Sequence, residues 1–143
     1  MNTTTVKRRE RIARVRRVEH AQALGAAALA EQQLRSLEQS AARVLDLRLS
    51  LTTGVGSMPA ETLAACGELA HRLDVARFGL TDAIVGARAT AAVKAAERIE
   101  ARIRQESAER LVERAATEVS DLAEARMSSA ARPRSVRGLG EEA

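Results

Sequence analysis

The chain has 143 residues, a net charge of +4 and only 1% aromatic residues, with Phe78 as its single aromatic side chain. Because aromatic side chains supply much of the buried area of a compact core, this composition argues against a compact globular enzyme. A hydrophobic fraction of 45% that is rich in alanine, with a charged fraction of 29%, is typical of long helices and coiled coils. It argues against all-β folds, dinucleotide-binding α/β folds and disulfide scaffolds, so we expect one elongated all-α domain.

The first predicted element is a long helix over about residues 6–51. This stretch contains no proline and one glycine, Gly25. Its second half carries small and apolar residues at alternating steps of three and four, which is the spacing of a face that packs on another helix. We call this face the seam. In the first helix it is predicted to contain Ala27, Ala30, Leu34, Leu37, Ala41, Val44 and Leu51, with Arg48 as an interruption.

The segment 52–58 is predicted to be a loop. Gly54 and Gly56 are expected to adopt positive φ and so end the first helix. Pro59 suits the first turn of the next helix because it lacks an N–H group, and Glu61 supplies the negative charge favoured there. A short loop makes two long helices antiparallel neighbours. The predicted fold is therefore all-α, a long antiparallel two-helix coiled-coil hairpin over residues 1–131 with a longer second helix, followed by a disordered tail at 132–143.

The second helix is predicted over about residues 59–130. A break near Gly79 is left open, because glycine costs about 1 kcal/mol relative to alanine inside a helix. Its seam is predicted to contain Cys66, Ala70, Leu73, Leu80, Ile84, Ala87 and Ala91, with Arg77 as an interruption. Beyond Ala91 the apolar pattern is interpreted as a shifted phase, as a stutter produces. That shifted seam is predicted to contain Ile99, Ile103, Leu111, Ala115 and Leu122.

The unequal helix lengths predict an overhang. If the loop centres near residue 56, facing residues have numbers that sum to about 112, and Val6 lies beside about Glu106. At 1.5 Å per residue, about 24 residues of the second helix, or roughly 36 Å, then have no partner within the chain. Because isolated helices are marginal in water, we expect another protein, an oligomer or a bend back onto the hairpin to cover this part. The candidate partner-binding residues there are Leu111, Ala115, Val119 and Leu122.

Positive charge is concentrated near the N-terminus, where residues 1–20 hold seven basic and two acidic side chains. On a helical projection Lys7, Arg11 and Arg14 share one side, Arg9 and Arg16 lie on another and Arg17 on a third, so these cations surround most of this end of the helix. The remaining arc, which we expect to face the second helix, holds Ile12, Val15 and Val18. This arrangement favours a helix end enclosed by an acidic ring or cleft, with a solvated end as the alternative. A nucleic-acid partner is not favoured, because there is neither a single basic stripe nor aromatic residues that stack on bases.

Residues that carry enzyme chemistry are sparse and scattered. His20 and His71 lie on opposite helices without metal-ligand spacing, and Cys66 lies on the apolar seam as a structural thiol. The sequence therefore predicts a non-enzyme without cofactor, metal or small-molecule substrate. A lone cysteine, the lack of a membrane-spanning apolar run and the lack of a signal-peptide core favour a cytoplasmic protein. An Arg-rich mitochondrial transit peptide is the alternative.

Two stretches of the second helix carry a family resemblance. Ala-Glu-Arg-Leu-Val-Glu-Arg at 108–114 is followed by Ser-Asp-Leu-Ala-Glu-Ala-Arg at 120–126. Together with the chain length, the basic opening and the predicted hairpin, they resemble the closing pattern of the FliJ family, the coiled-coil component of the flagellar type III export apparatus. Virulence secretion systems have similar stalk proteins.

The resemblance implies a non-enzymatic stalk that is similar to the γ subunit of rotary ATPases. Its paired chain ends would enter the central hole of the hexameric export ATPase, and its hairpin tip would face the export gate membrane protein. The resemblance further implies escort of empty export chaperones and a cytoplasmic location peripheral to the inner membrane. The candidate ATPase-binding residues are Arg8, Arg9, Arg11, Arg14, Arg16, Arg17, Arg102, Arg104 and Arg110. The alternatives are a basic helical nucleic-acid-binding protein and a homodimeric coiled-coil scaffold that pairs two hairpins.

Overall fold

A computed structural model describes residues 3–53 and 56–131 of the chain. Within these ranges it contains two helices and no strands: α1 spans Thr3–Thr53 and α2 spans Ala60–Ala130. The all-α antiparallel hairpin with a longer second helix is thus confirmed. α1 begins and ends slightly outside its predicted bounds, and α2 runs without a break through Gly79. The predicted disordered tail lies outside the described residues.

The described chain divides into two compact units, which are treated separately below. The first contains residues up to Val18 and residues from Ile103 onward, and the second is Glu19–Arg102. Each unit pairs a segment of α1 with a segment of α2. In the second unit, for example, Arg48 Nε donates to Asp74 Oδ1 at 3.2 Å and Arg88 Nη2 donates to Glu38 Oε1 at 3.0 Å.

The predicted seam of α1 is confirmed, since each of its residues between Ala27 and Leu51 is buried or half-buried. Arg48 belongs to it as a half-buried side chain. The same spacing continues toward the N-terminus through Arg9, Ala13, Arg16, His20 and Ala23, all of which are buried or half-buried. The predicted N-terminal arc is therefore wrong, because Ile12, Val15 and Val18 are exposed. The helix keeps one unbroken three-and-four spacing, and that spacing selects Ala13 and Arg16 instead.

The seam of α2 is correctly predicted up to Ala91, apart from Arg77, which is exposed. The predicted stutter is wrong. Beyond Ala91 the original spacing continues, while Ile99 and Ile103 are 55% and 58% exposed and Leu111 is 46% exposed. Of the predicted shifted set only Ala115 faces inward, and it is 0% exposed. The continued seam consists of Lys94, Arg98, Ala101, Gln105, Ala108, Val112, Ala115 and Val119.

The connection between the helices differs in detail from the prediction. Gly56 does not have positive φ, and Gly54 lies outside the described residues. The Pro59 carbonyl accepts a hydrogen bond from the Leu63 amide at 3.1 Å. Pro59 is therefore the residue that precedes the first helical residue, and its lack of an N–H group costs nothing there.

The predicted register is also wrong. Facing residues have numbers that sum to between 120 and 126, as in the pairs Arg9–Leu111, Arg17–Glu109, Glu38–Arg88 and Arg48–Asp74. With this register the first residues of α2 have no counterpart in α1, and residues 60–65 are all exposed. The prediction assumed a loop that is symmetric about its centre. Pairing instead begins several residues into α2, which moves the facing position of every α1 residue toward the C-terminus.

Candidate partner-binding surface

Unit by unit, the charge of the described chain is uneven. The first unit has a net charge of +4 over its described residues, and Glu19–Arg102 has a net charge of −1. Within the first unit the α1 segment alone carries +6, from seven basic residues and Glu10. The facing α2 segment carries −2. The first unit is therefore the candidate site for an acidic partner.

Three of the candidate arginines on α1 contact α2 or lie at the seam that faces it. Arg9 Nη1 donates to the Leu111 carbonyl at 3.3 Å, and Arg17 Nε donates to Glu109 Oε1 at 2.7 Å. Arg16 is half-buried at a seam position. The long aliphatic stem of arginine explains how a charged residue takes such a position, because it packs on apolar surface while the guanidinium reaches solvent. Arg9 and Arg17 therefore connect α1 to α2, and Arg16 lies between them in sequence at a seam position.

The ion pair of Arg17 with Glu109 has a measurable electrostatic signature. The hydrogen bond from Arg17 lowers the pKa of the Glu109 carboxyl, and a second hydrogen bond from Gln105 at 3.1 Å lowers that pKa further. Both donors favour the ionised carboxylate. The pair lines an open groove of about 420 Å³ together with Glu10, Ala13, Arg14, Val112 and Glu113.

Lys7, Arg8, Arg11 and Arg14 are exposed on α1, and Lys7 and Arg14 also line grooves that reach α2. Lys7, Arg8 and Arg11 line an open groove of about 520 Å³ with Thr4. Lys7, Arg11 and Arg14 follow steps of four and three, so they form one row, which we call the basic row. Arg9 and Arg16 lie toward α2, so the side that was predicted to be free of charge carries two of the cations. Lys7 is absent from the candidate ATPase-binding residues, although the helical projection of the sequence places it on one side with Arg11 and Arg14.

The structure places the remaining candidate arginines in different units. Arg104 and Arg110 are exposed in the first unit, and Arg110 lines a shallow groove of about 280 Å³ with Arg114. Arg102 belongs to Glu19–Arg102. The candidate arginines therefore do not fall within a single compact unit.

The overhang is shorter than predicted. Ala115 is fully buried, and Val119 is half-buried in a groove that it shares with Val6. The residues that are exposed throughout begin after Val119 and run to Ala130. Leu122 lies there and is 44% exposed, so of the four candidate overhang residues it alone projects beyond the paired segment. The cause is the register described above, which places Val6 about 8 to 14 residues further along α2 than predicted.

Other kinds of site are not found in the described residues. Residues 3–53 and 56–131 contain no group of three or more His, Cys, Asp or Glu that is able to hold a metal ion. No helix among them is long and apolar enough to cross a membrane. Cys66 is a free, half-buried thiol on the seam. Comparisons with protein-family models, curated proteins and solved structures gave no match.

Proposed function

We propose that this protein is a non-enzymatic stalk or coupling protein of a type III export apparatus, whose basic first unit binds the hexameric export ATPase. The observation that carries the proposal is the basic row of Lys7, Arg11 and Arg14 on a helix segment of net charge +6. A row of exposed cations steers an acidic partner to one side of a helix and raises the rate of association. The identity of the partner, a hexameric export ATPase, rests on the resemblance of the sequence to the FliJ family.

The hairpin suits such a role for a physical reason. Within the first unit the helical segment of α1 holds its surface residues at a fixed spacing, so the side chains of the basic row begin about 5–6 Å apart along the helix. Inside the first unit Arg17 and Arg9 donate hydrogen bonds from α1 to α2. The basic row is therefore presented on a paired helix, which loses less conformational freedom on binding than a flexible segment does. Contact with the export gate and escort of chaperones belong to the same proposal.

A charge-reversal variant tests the proposal. Replacing Lys7→Glu, Arg11→Glu and Arg14→Glu together is expected to abolish co-purification with the hexameric export ATPase and the stimulation of its ATP turnover. The matched control reverses Arg35, Arg43 and Arg77, three exposed arginines of the second unit, and changes the net charge equally. We expect the control to retain both activities. Binding that survives reversal of the basic row, or that both variants lose equally, contradicts the proposal.

A second candidate function is favoured by the one-sided basic row. Cations along one side of a helix also match the phosphates of a nucleic acid. This alternative predicts binding of duplex DNA whose affinity falls steeply with salt and which reversal of the basic row removes. DNA binding of that kind, with no ATPase binding by the unaltered protein, would replace the export proposal.

A further inference from the structure

α2 carries a second apolar row in addition to its seam. The row follows steps of three and four over about 36 Å of helix, at 1.5 Å per residue. Asp82 is its single polar position. We call it the outer row, and it consists of Val75, Phe78, Val85, Ala89, Ala92, Ala96 and Ile99.

The outer row is not covered by α1 of the same chain. Phe78, the single aromatic residue of the protein, is 75% exposed, and Val85 is 63% exposed. Val75 and Ile99 at its two ends are 57% and 55% exposed. The alanines between them are exposed as well. An apolar repeat that is sustained over more than three heptads is the pattern of a helix that packs on a partner helix.

From this row we propose that the outer face of α2 binds the same face of a second copy of the chain in antiparallel orientation. In an antiparallel pair, large residues of one copy can be placed against small residues of the other. When facing numbers sum to about 174, Phe78 lies opposite Ala96 and Val85 lies opposite Ala89, as antiparallel a-to-d layers require. The alanines opposite Phe78 and Val85 allow close packing. The two remaining layers place Val75 opposite Ile99 and Asp82 opposite Ala92.

The charged residues that flank the outer row select this orientation. In the antiparallel arrangement Arg72 of one copy lies opposite Glu100 of the other, and the two-fold axis repeats that pair. Asp74 lies opposite Arg102 on the other flank, again twice. Exposed ion pairs add little affinity, but they determine orientation and partner choice in coiled coils.

A parallel arrangement lacks this complementarity. There Asp74 meets Gly79 and Glu100 meets Ala95, so the flanking charges meet no opposite charge. One like-charged contact remains in the antiparallel arrangement, where Arg88 lies near its symmetry mate. Each Arg88 donates to Glu38 of its own chain at 3.0 Å, which offsets that repulsion. Arg72 and Asp74 likewise have partners in their own chain, Glu68 and Arg48, so the flanking pairs bias the orientation and add little affinity.

Self-association is measured by sedimentation equilibrium. The unaltered protein is expected to show a monomer–dimer equilibrium, and Phe78→Glu is expected to raise the dissociation constant at least about tenfold. Leu29→Glu is the matched control, because Leu29 is also in the second unit and 62% exposed but lies on α1. A chain that stays monomeric up to about 100 µM overturns the proposal. So does a dimer that is unaffected by Phe78→Glu, or one that Leu29→Glu weakens equally.

Orientation is tested by charge exchange and by cross-linking. Arg72→Glu places two acidic residues opposite each other and weakens the dimer, whereas adding Glu100→Arg restores it. In a Cys66→Ser background, Phe78→Cys and Ala96→Cys chains should form a disulfide when mixed. Efficient cross-linking of either chain alone indicates parallel pairing and overturns the orientation. None of these substitutions touches the basic row, so failure here is distinguishable from failure of the export proposal.

Discussion

Glu109 is the residue at which the electrostatics of the first unit are most directly measurable. Its carboxylate accepts hydrogen bonds from Arg17 and from Gln105, and both lower its pKa. A group whose pKa is lower in the folded protein stabilises the fold above its unfolded pKa, and this contribution is lost as the pH falls through the folded pKa. We expect Arg17→Ala to raise the pKa of Glu109 toward the ordinary range, as measured by NMR titration of its carboxyl carbon.

Arg11→Ala is the control for this measurement. It removes the same charge from the same helix, but Arg11 lies in the outer groove with Lys7 rather than beside Glu109. We expect it to leave the Glu109 titration nearly unchanged. Equal shifts in both variants would mean that the net positive charge of α1, and not the hydrogen bond, sets the pKa of Glu109.

At the scale of the element, the seam of α2 has a testable consequence. Val112 is half-buried on the continued seam, whereas Ile103 is 58% exposed although its side chain is larger. Val112→Ala should therefore lower the free energy of unfolding by about 1 kcal/mol, from lost apolar burial. Ile103→Ala should change it by less than about 0.5 kcal/mol. Urea unfolding in dilute solution, where self-association is negligible, measures both. A larger effect at Ile103 would mean that the seam of α2 shifts phase beyond Ala91, as the stutter hypothesis predicts.

The same element shows where sequence reasoning succeeds and where it fails. Leu73, Leu80 and Ile84 give the first part of the α2 seam an unambiguous spacing, and the structure confirms it. From Lys94 to Ala108 the seam is built from alanines and polar residues, while Ile99 and Ile103 carry the larger apolar signal outside it. A prediction from hydrophobicity alone therefore selects the exposed Ile99 and Ile103 instead of the buried seam residues. Because a small residue that faces the partner helix gives a weak hydrophobic signal, the continuity of the three-and-four spacing is the better guide.

The candidate site was predicted in a similar way. The basic character of the α1 start is evident from the sequence, but the division of its cations into inward and outward ones is not. Arg9 and Arg16 follow the seam spacing through Ala13, whereas the predicted seam of α1 begins only at Ala27. The predicted register is wrong because it assumes that pairing begins symmetrically on both sides of the loop. No pattern in residues 52–58 indicates that pairing begins several residues after α2 does, and the predicted overhang depended on that point.

Across the whole described molecule, charge is distributed so that the two units respond differently to salt. The α1 segment of the first unit contains like-charged neighbours such as Lys7 with Arg11 and Arg14 with Arg17, at helical spacings where like charges destabilise. Glu19–Arg102 has nearly balanced charge and contains intrahelical pairs such as Arg72 with Glu68. Salt screens the repulsion in the first unit and weakens the attraction in the second.

Hydrogen exchange followed by mass spectrometry measures this difference. When salt rises from about 10 mM to about 1 M, the screening length falls from about 30 Å to about 3 Å. We expect amides in residues 6–18 to gain protection and amides in residues 27–44 to change little or lose some. Arg11→Glu places an acid four residues after Lys7 and three before Arg14, so it should remove most of the salt response. The exposed Arg17–Glu109 pair opposes the trend, but one such pair is worth little.

If residues 6–18 lose protection with salt, attraction to the acidic α2 segment outweighs repulsion within α1. The basic row would then act mainly in pairing α1 with α2, and its role in binding an acidic partner would be disfavoured.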